Sequence, residues 1–320
     1  MKNNNNSQNK FQNLIKTFKL AGIIASVIIL AFSAIITFFP DVLVSWPQII
    51  DAVLSPEPKT YDDQIVFFDV GQADCTAVMS NGEIALVDLA HVGGGGKNIT
   101  QSLKAYATEN IKYIVLTHYH TDHIGALEII AQNFNIDTVI MNNYYSMSDT
   151  DLDAIRKLHS VIDDYDIKLE YAANNKILSV GDFNLKLHTT GLVHEEENEN
   201  STVVSVEGKG VNALLMADSE SEIMSMFYSM HTNFGADISY DILKVAHHGA
   251  NDSNNLEFLK LVSPKYAVIS CGKDNLYGHP HTEVLENLDS VGAKVFRTDS
   301  NGEITIIITD NKQIKVSTTR

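Results

Sequence analysis

His118-Tyr119-His120-Thr121-Asp122-His123 is the stretch from which the rest of the chain can be read. It follows an apolar run, Ile114-Val115-Leu116, that reads as a buried strand. It precedes Ile124-Gly125-Ala126-Leu127-Glu128-Ile129-Ile130, which reads as the first turns of a helix. The motif therefore sits at a strand end. Four of its six residues carry metal-binding side chains. Imidazole suits zinc, and carboxylate suits zinc, iron or manganese. Alternation along extended backbone points His118 and His120 the same way. Asp122 and His123 fall at the turn into the helix, where they can face a second ion about 3.5–4 Å from the first. The competing reading is a polar loop that is merely rich in histidine.

Two other strand ends carry similar chemistry. Asp218 follows the apolar run 213–217, and His247-His248 follows 242–246. A carboxylate at Asp218 could bridge two ions. Taken alone, Asp218 could instead cap the helix after it, and a lone His could be structural. With the central motif beside them, ligation is the better reading.

The remaining organisation is that of a mixed α and β body. Ile65–Phe68 is a strand, and Asp69-Val70-Gly71-Gln72-Ala73-Asp74 is the loop at its end. Strands are predicted at 75–79 and 83–89 around the hairpin turn Asn81-Gly82. His91 and Gly93–Gly96 read as a flexible loop, because the glycines lack the lysine-serine pattern of a phosphate-binding turn. Helices are expected at 99–109, 151–163, 219–232, 256–261 and 282–288, with further strands between them up to 303–308. Two blocks of strands with interspersed helices suggest two similar halves packed face to face. Cys75 and Cys271 are the only cysteines, so no disulfide framework exists. One bridge is conceivable, but two buried free thiols fit better.

The amino end differs in kind. Residues 1–19 are Asn-rich and basic, and 20–39 contain no charge. As a helix, 20 such residues would rise about 30 Å, the thickness of a bilayer core. A transmembrane signal anchor is expected at 20–39, followed by a linker at 40–62 and the catalytic domain at 63–312. The basic flank places that domain outside the cytoplasm. The rival reading is a cleaved signal peptide and a secreted product. The whole chain of 320 residues carries a formal net charge of -17. That charge opposes tight non-specific DNA binding, so no stable nucleic-acid partner is expected. A nuclease is still allowed, because metal ions can supply positive charge where it is needed.

The central motif resembles the signature of the metallo-beta-lactamase superfamily. The resemblance implies an α+β fold, an αββα sandwich with metals at one edge of the two sheets. More narrowly, several motifs resemble the extracellular hydrolase domain of DNA-internalisation competence proteins of the ComEC type. They are Asp69–Asp74, Asn198-Glu199-Asn200-Ser201, Asp218 with Glu220, His247-His248-Gly249, Asn275–Pro280, and Arg297-Thr298-Asp299 with Gly302.

By that resemblance His118 and His120 bind one metal, Asp122 and His123 the other, and Asp218 bridges them. The next ligand is expected at His247, with His279 as a ligand or proton donor. Asp88 resembles the family's acid that orients a metal-binding His or the loop. The superfamily's usual third His of the first site has no clean match. His188 and His194 lie nearby, and of these His194 is a weak candidate ligand. Ala73 and Ala217 stand where Gly is usual. The multi-helix channel of competence proteins has no counterpart in this chain.

The expected activity is two-metal hydrolysis, with Asp122, His248 and His279 serving the reaction directly. The cofactors are two divalent ions, Zn2+ first, with Mn2+ or Fe2+ as alternatives. The expected substrate is a phosphodiester: DNA, a cell-wall polymer or a lipid headgroup. The membrane is an expected partner through the single helix. The alternatives are a non-catalytic surface binding module of the same fold and a lactamase-like amide or ester hydrolase.

Overall fold

The first strand explains the layering. Neighbouring residues of a strand face opposite sides. Ile65 and Phe67 enter one apolar core with Leu185, Val206 and Leu215, whereas Val66 and Phe68 enter another with Ile99, Leu103 and Ile130. A strand that is apolar on both faces must be covered on both.

The computed structural model describes residues 63–106, 108–144 and 149–320. Its strands are β1 (Gln64–Phe67), β2 (Thr76–Ser80), β3 (Glu83–Val87), β4 (Asn110–Val115), β5 (Asn135–Met141), β6 (Lys168–Tyr171), β7 (Ile177–Val180) and β8 (Phe183–His188). They continue with β9 (Val203–Gly208), β10 (Val211–Leu215), β11 (Ile242–Lys244), β12 (Tyr266–Ile269), β13 (Lys294–Arg297), β14 (Ile304–Ile308) and β15 (Ile314–Thr318). One sheet has eight strands in the order β15-β14-β1-β2-β3-β4-β5-β6, and the other has seven in the order β13-β12-β11-β10-β9-β8-β7.

The helices are α1 (Gly94–Lys104), α2 (Thr121–Ile124), α3 (Leu127–Ala131), α4 (Asp149–Asp164), α5 (Ser221–Phe234), α6 (Leu256–Val262), α7 (Thr282–Ser290) and α8 (Thr298–Asn301). Helices α1 to α4 cover the outer face of the first sheet through Leu103, Leu127, Ile130 and Leu158. Helices α5 to α7 cover the second through Phe227, Phe258 and Leu288. The inner faces meet through Phe67, Val78, Val115, Val204, Leu215 and Val268. The body is an α+β αββα sandwich.

Strands β3 to β6 run parallel to one another, and so do β10 to β13. Ligands of open parallel sheets bind beyond the carboxyl ends of the strands. Asp88 and His118 lie just beyond β3 and β4, and Asp218 and His247 lie just beyond β10 and β11. Each sheet therefore brings its own donors to the same edge.

Several local expectations are corrected. The helix expected at 99–109 begins earlier, at Gly94, inside the glycine run that was read as a loop. Close packing is the reason: a Cβ on Gly96 would lie 2.8 Å from Ala126 Cβ, and one on Gly95 would lie 2.9 Å from Ala90 Cβ. The helix expected after the central motif is a single turn, broken at Gly125 before α3 begins. A Cβ at Gly125 would lie 2.5 Å from the Thr121 carbonyl oxygen and 2.8 Å from Val92 N. Strand β15 lies beyond the expected domain end at 312. It is an edge strand in which half-buried Ile314 and Val316 alternate with exposed Lys315 and Ser317. Cys75 and Cys271 are both buried free thiols.

The largest correction concerns the membrane. The transmembrane helix expected at 20–39, its basic tail and its linker lie outside the described residues. Among the described residues no helix is long and apolar enough to cross a membrane. The longest, α4, has 16 residues and carries Asp153, Arg156 and Lys157, whereas a span needs about 20 apolar ones. The fold that the described residues form is the αββα sandwich. The expectations that depend on that helix, namely single-pass attachment, an extracytoplasmic hydrolase and the membrane as a partner, find no support among the described residues.

Candidate metal centre

The first sheet fixes its donors through a buried carboxylate. Asp88 follows β3 with a left-handed φ of 62°. Its carboxylate accepts from Thr117 N at 2.9 Å and from Thr117 Oγ1 at 2.8 Å. His123 Nδ1 lies 2.8 Å from Asp88 Oδ2. A carboxylate only accepts, so Nδ1 carries the hydrogen and the lone pair of His123 is on Nε2. The Thr117 hydroxyl has given its hydrogen to Asp88 and accepts from His118 Nδ1 at 3.1 Å. That leaves the His118 Nε2 lone pair 3.1 Å from His120 Nδ1. The residue between the two histidines points the other way. Tyr119 is buried, its hydroxyl donates to the Asn142 carbonyl, and its ring lies 4.9 Å from that of Tyr144.

The second sheet presents Asp218 and His248. His248 Nδ1 donates to the Ser270 carbonyl at 2.9 Å, so its Nε2 also turns inward. Asp218 Oδ2 lies 3.3 Å from His123 Nε2 and 3.5 Å from His248 Nε2. Asp122 Oδ2 lies 3.4 Å from His248 Nε2. Holding these donors strains the chain: Asp88, Ala90, Ala217, His247 and His248 all have positive φ without being glycine. Such residues gather where a site over-determines the backbone. Ala217, at φ 51°, holds the left-handed conformation that glycine adopts most readily.

These side chains suit a cation. His123 Nε2, His248 Nε2 and Asp218 Oδ1 are buried without a hydrogen-bond partner, although buried polar atoms are ordinarily paired. Burial opposes charge on His123, yet Asp218, Asp88 and Asp122 hold its pKa well above the usual imidazole range. Burial likewise pushes Asp218 up, but His248, His123 and Lys244 hold it well below the carboxylate range. Burial, joined by repulsion from His123, keeps His118 neutral, as a ligand must be. Ligand atoms of Asp122, His123, Asp218 and His248 lie within 4.8 Å of one another, and so do those of Asp74, Asp88 and His123. These groups fit a dinuclear divalent-metal site of the zinc type.

The other sequence candidates take separate positions. His247 Nε2 is 3.9 Å from Asp218 Oδ2, and its Nδ1 faces Glu220 at 3.6 Å and Asp252 at 3.8 Å. His279 has its ring 5.6 Å from His247 and 6.4 Å from His248, and stacks on Tyr277. Burial, together with His247 and His248, lowers its pKa to about 4. His194 is held within its own loop, with Nε2 3.0 Å from Thr190 Oγ1. His188 sits in the apolar layer, 2.9 Å from Ser205 Oγ and against Phe227.

Sequence reasoning passed over Lys244 and left Asp74 without a role. Lys244 is 2% exposed. Its ammonium pairs with the Asp74 carboxylate and donates to the Ala217 carbonyl at 3.1 Å. The signal was a lysine inside the apolar run Ile242-Leu243-Lys244-Val245. A cavity of about 440 Å³ opens on the donors and is lined also by Gln72, Tyr277 and His279.

The geometry separates the paired histidines. His248→Ala is expected to weaken metal binding by more than the about 10- to 100-fold that losing an outer partner costs, and His247→Ala to leave both ions in place. Elemental analysis after dialysis against a graded chelator measures this. Equal loss from both variants would remove the distinction.

Residues 68–273 match the sequence profile of the Metallo-beta-lactamase superfamily. The chain belongs to that superfamily. Among superfamily structures, the metallo-beta-lactamase fold protein YhfI from Bacillus subtilis superposes with a TM-score of 0.52 at 13% identity, over 76% of this chain and all of that one. At such identity the likeness concerns the fold alone. ComE operon protein 3 of Bacillus subtilis is 30% identical over 66% of this chain, and Competence protein ComA of Neisseria gonorrhoeae is 24% identical over 75%. The chain spans only 26% and 31% of their lengths. Superfamily membership and the donor cluster make this a metal-dependent hydrolase in general terms.

Proposed function

We propose that the chain is a two-metal hydrolase of phosphodiester bonds. His118, His120 and Asp218 would hold one ion, and Asp122, His123, Asp218 and His248 the other. The observation that carries the hydrolase reading is the buried Asp218 carboxylate. One of its oxygens faces both His123 and His248, and the other has no partner. Divalent ions held there supply Lewis acidity and a water that ionises near neutral pH.

The chain's own residues do the rest. Asp88 and the Ser270 carbonyl fix the tautomers of His123 and His248. Gly272 N donates to Gln72 Oε1 at 2.9 Å, which leaves the amide NH2 as the end that can donate to a substrate oxygen. His279, neutral at pH 7, can accept a proton at the cavity wall. The phosphodiester is supported by the motif resemblance to DNA-internalisation competence proteins and by similarity to the two relatives above, one of which is named a competence protein.

A second reading is a lactamase-like amide or ester hydrolase. What favours it is that no Lys or Arg lines the cavity among the described residues, so a neutral acyl substrate is accommodated as well as an anion.

The test is a substrate panel on the metal-loaded chain: bis-p-nitrophenyl phosphate, single-stranded DNA, a beta-lactam and a p-nitrophenyl ester. Turnover of the diesters, abolished by chelator, is expected. Turnover of only the lactam or ester would replace the first reading with the second. Two bound ions with no turnover of any substrate would favour a binding module.

A further inference from the structure

A second cavity lies against the metal centre and differs from it in chemistry. It has a volume of about 480 Å³ and runs between α4 and the segment carrying α2 and α3. Its floor is Ile124, Leu127, Leu158 and Val161, each no more than 6% exposed. The charged groups that line it each have a partner: Lys157 pairs with Glu128 at 2.9 Å, and Asp153 with Arg156, outside the lining, at 2.6 Å. The groove therefore offers apolar surface without an uncompensated charge. It shares two walls with the metal-centre cavity, His91 and Thr121. Thr121 lies between the donors His120 and Asp122, so a molecule held at the ions has the groove as its next surface.

We infer that this groove is a substrate subsite that takes an apolar group, an alkyl or aryl chain, attached to the bond that the metal centre cleaves. The inference rests on the metal centre being the place of reaction. Its occupant is one part of the substrate, because His91 and Thr121 wall both cavities. A volume of some hundreds of Å³ with an apolar lining is usual for such a pocket. Burial of an alkyl chain there strengthens binding by about three- to fourfold per methylene until the groove is full. The subsite thus discriminates by chain length, while the ions bind the polar head.

The test is calorimetric and needs no turnover. Methyl-, butyl- and octylphosphonate, and in parallel acetate, pentanoate and nonanoate, are titrated into the zinc-loaded full chain. Within the series whose head binds, affinity should climb steeply with chain length. Ala154→Trp, which fills the groove from α4, should flatten that climb and leave the shortest probe within about twofold. Val92→Glu places a charge at the wall from a loop residue that is 52% exposed, and should do the same without touching the core. Equal binding of long and short probes to the natural chain would overturn the inference. So would a chain-length dependence that survives both substitutions. Failure of the phosphodiester reading shows itself differently, as binding of the carboxylate series in place of the phosphonates.

Discussion

Asp218→Ala should leave the purified protein with fewer than one divalent ion per chain and lower hydrolysis by on the order of 10³-fold or more. The size of the effect follows from position. A peripheral carboxylate that only orients a ligand costs about 10- to 100-fold in metal affinity or activity. Asp218 is 2% exposed and within 3.5 Å of the inward nitrogens of both His123 and His248. Removing it takes a negative charge from between two imidazoles and, in the proposed arrangement, a residue that would hold both ions. Asp218→Asn keeps the shape and tests the charge alone, and metal content should fall there too. Elemental analysis and the diester assay on one preparation decide the matter. Two retained ions with full turnover would remove Asp218 from the centre.

Lys244→Met should be the most damaging substitution outside the six residues proposed to hold the ions. Ile242 belongs to the core between the sheets. Lys244, two residues on, shares its side of β11 and reaches Asp74 at the end of the first sheet's opening loop. Asp74 is itself 3% exposed. A methionine would leave that carboxylate buried without its cation, near Asp88 and Asp218. Breaking one side of a buried pair costs about 3–5 kcal/mol, which for a body of this size lowers Tm by roughly 10 °C. Lys244→Met with Asp74→Leu removes both charges and should recover much of the loss, because apolar replacement of a whole buried pair is often neutral. Melting curves in chelator separate this effect from metal binding. A Tm change below about 2 °C in the single variant would show the pair to be inconsequential.

How much of this was legible in the sequence depends on the range of the interaction. The central motif announced itself because its donors are contiguous and flanked by an unmistakable strand. Asp218 and the His247-His248 pair were visible by the same rule, a polar ligand directly after an apolar run. The choice between His247 and His248 was not visible. It turns on two consecutive left-handed residues and on the Ser270 carbonyl, 22 positions away, which fixes the ring of His248. Asp74 and Lys244 are 170 positions apart and meet only when the sheets pack. The glycine run at 93–96 misled because composition reports conformational freedom and is silent on close packing, which is what α1 demands of Gly95 and Gly96. The uncharged stretch at 20–39 was read by hydropathy alone, and nothing in the described body corresponds to a spanning helix.

The donors come from both halves of the sandwich, His118 to His123 from one sheet and Asp218 with His248 from the other. An ion seated among them is a rivet through two plates. Metal loading and the docking of the halves are then a single event, and the stripped protein should be the one whose seam opens first.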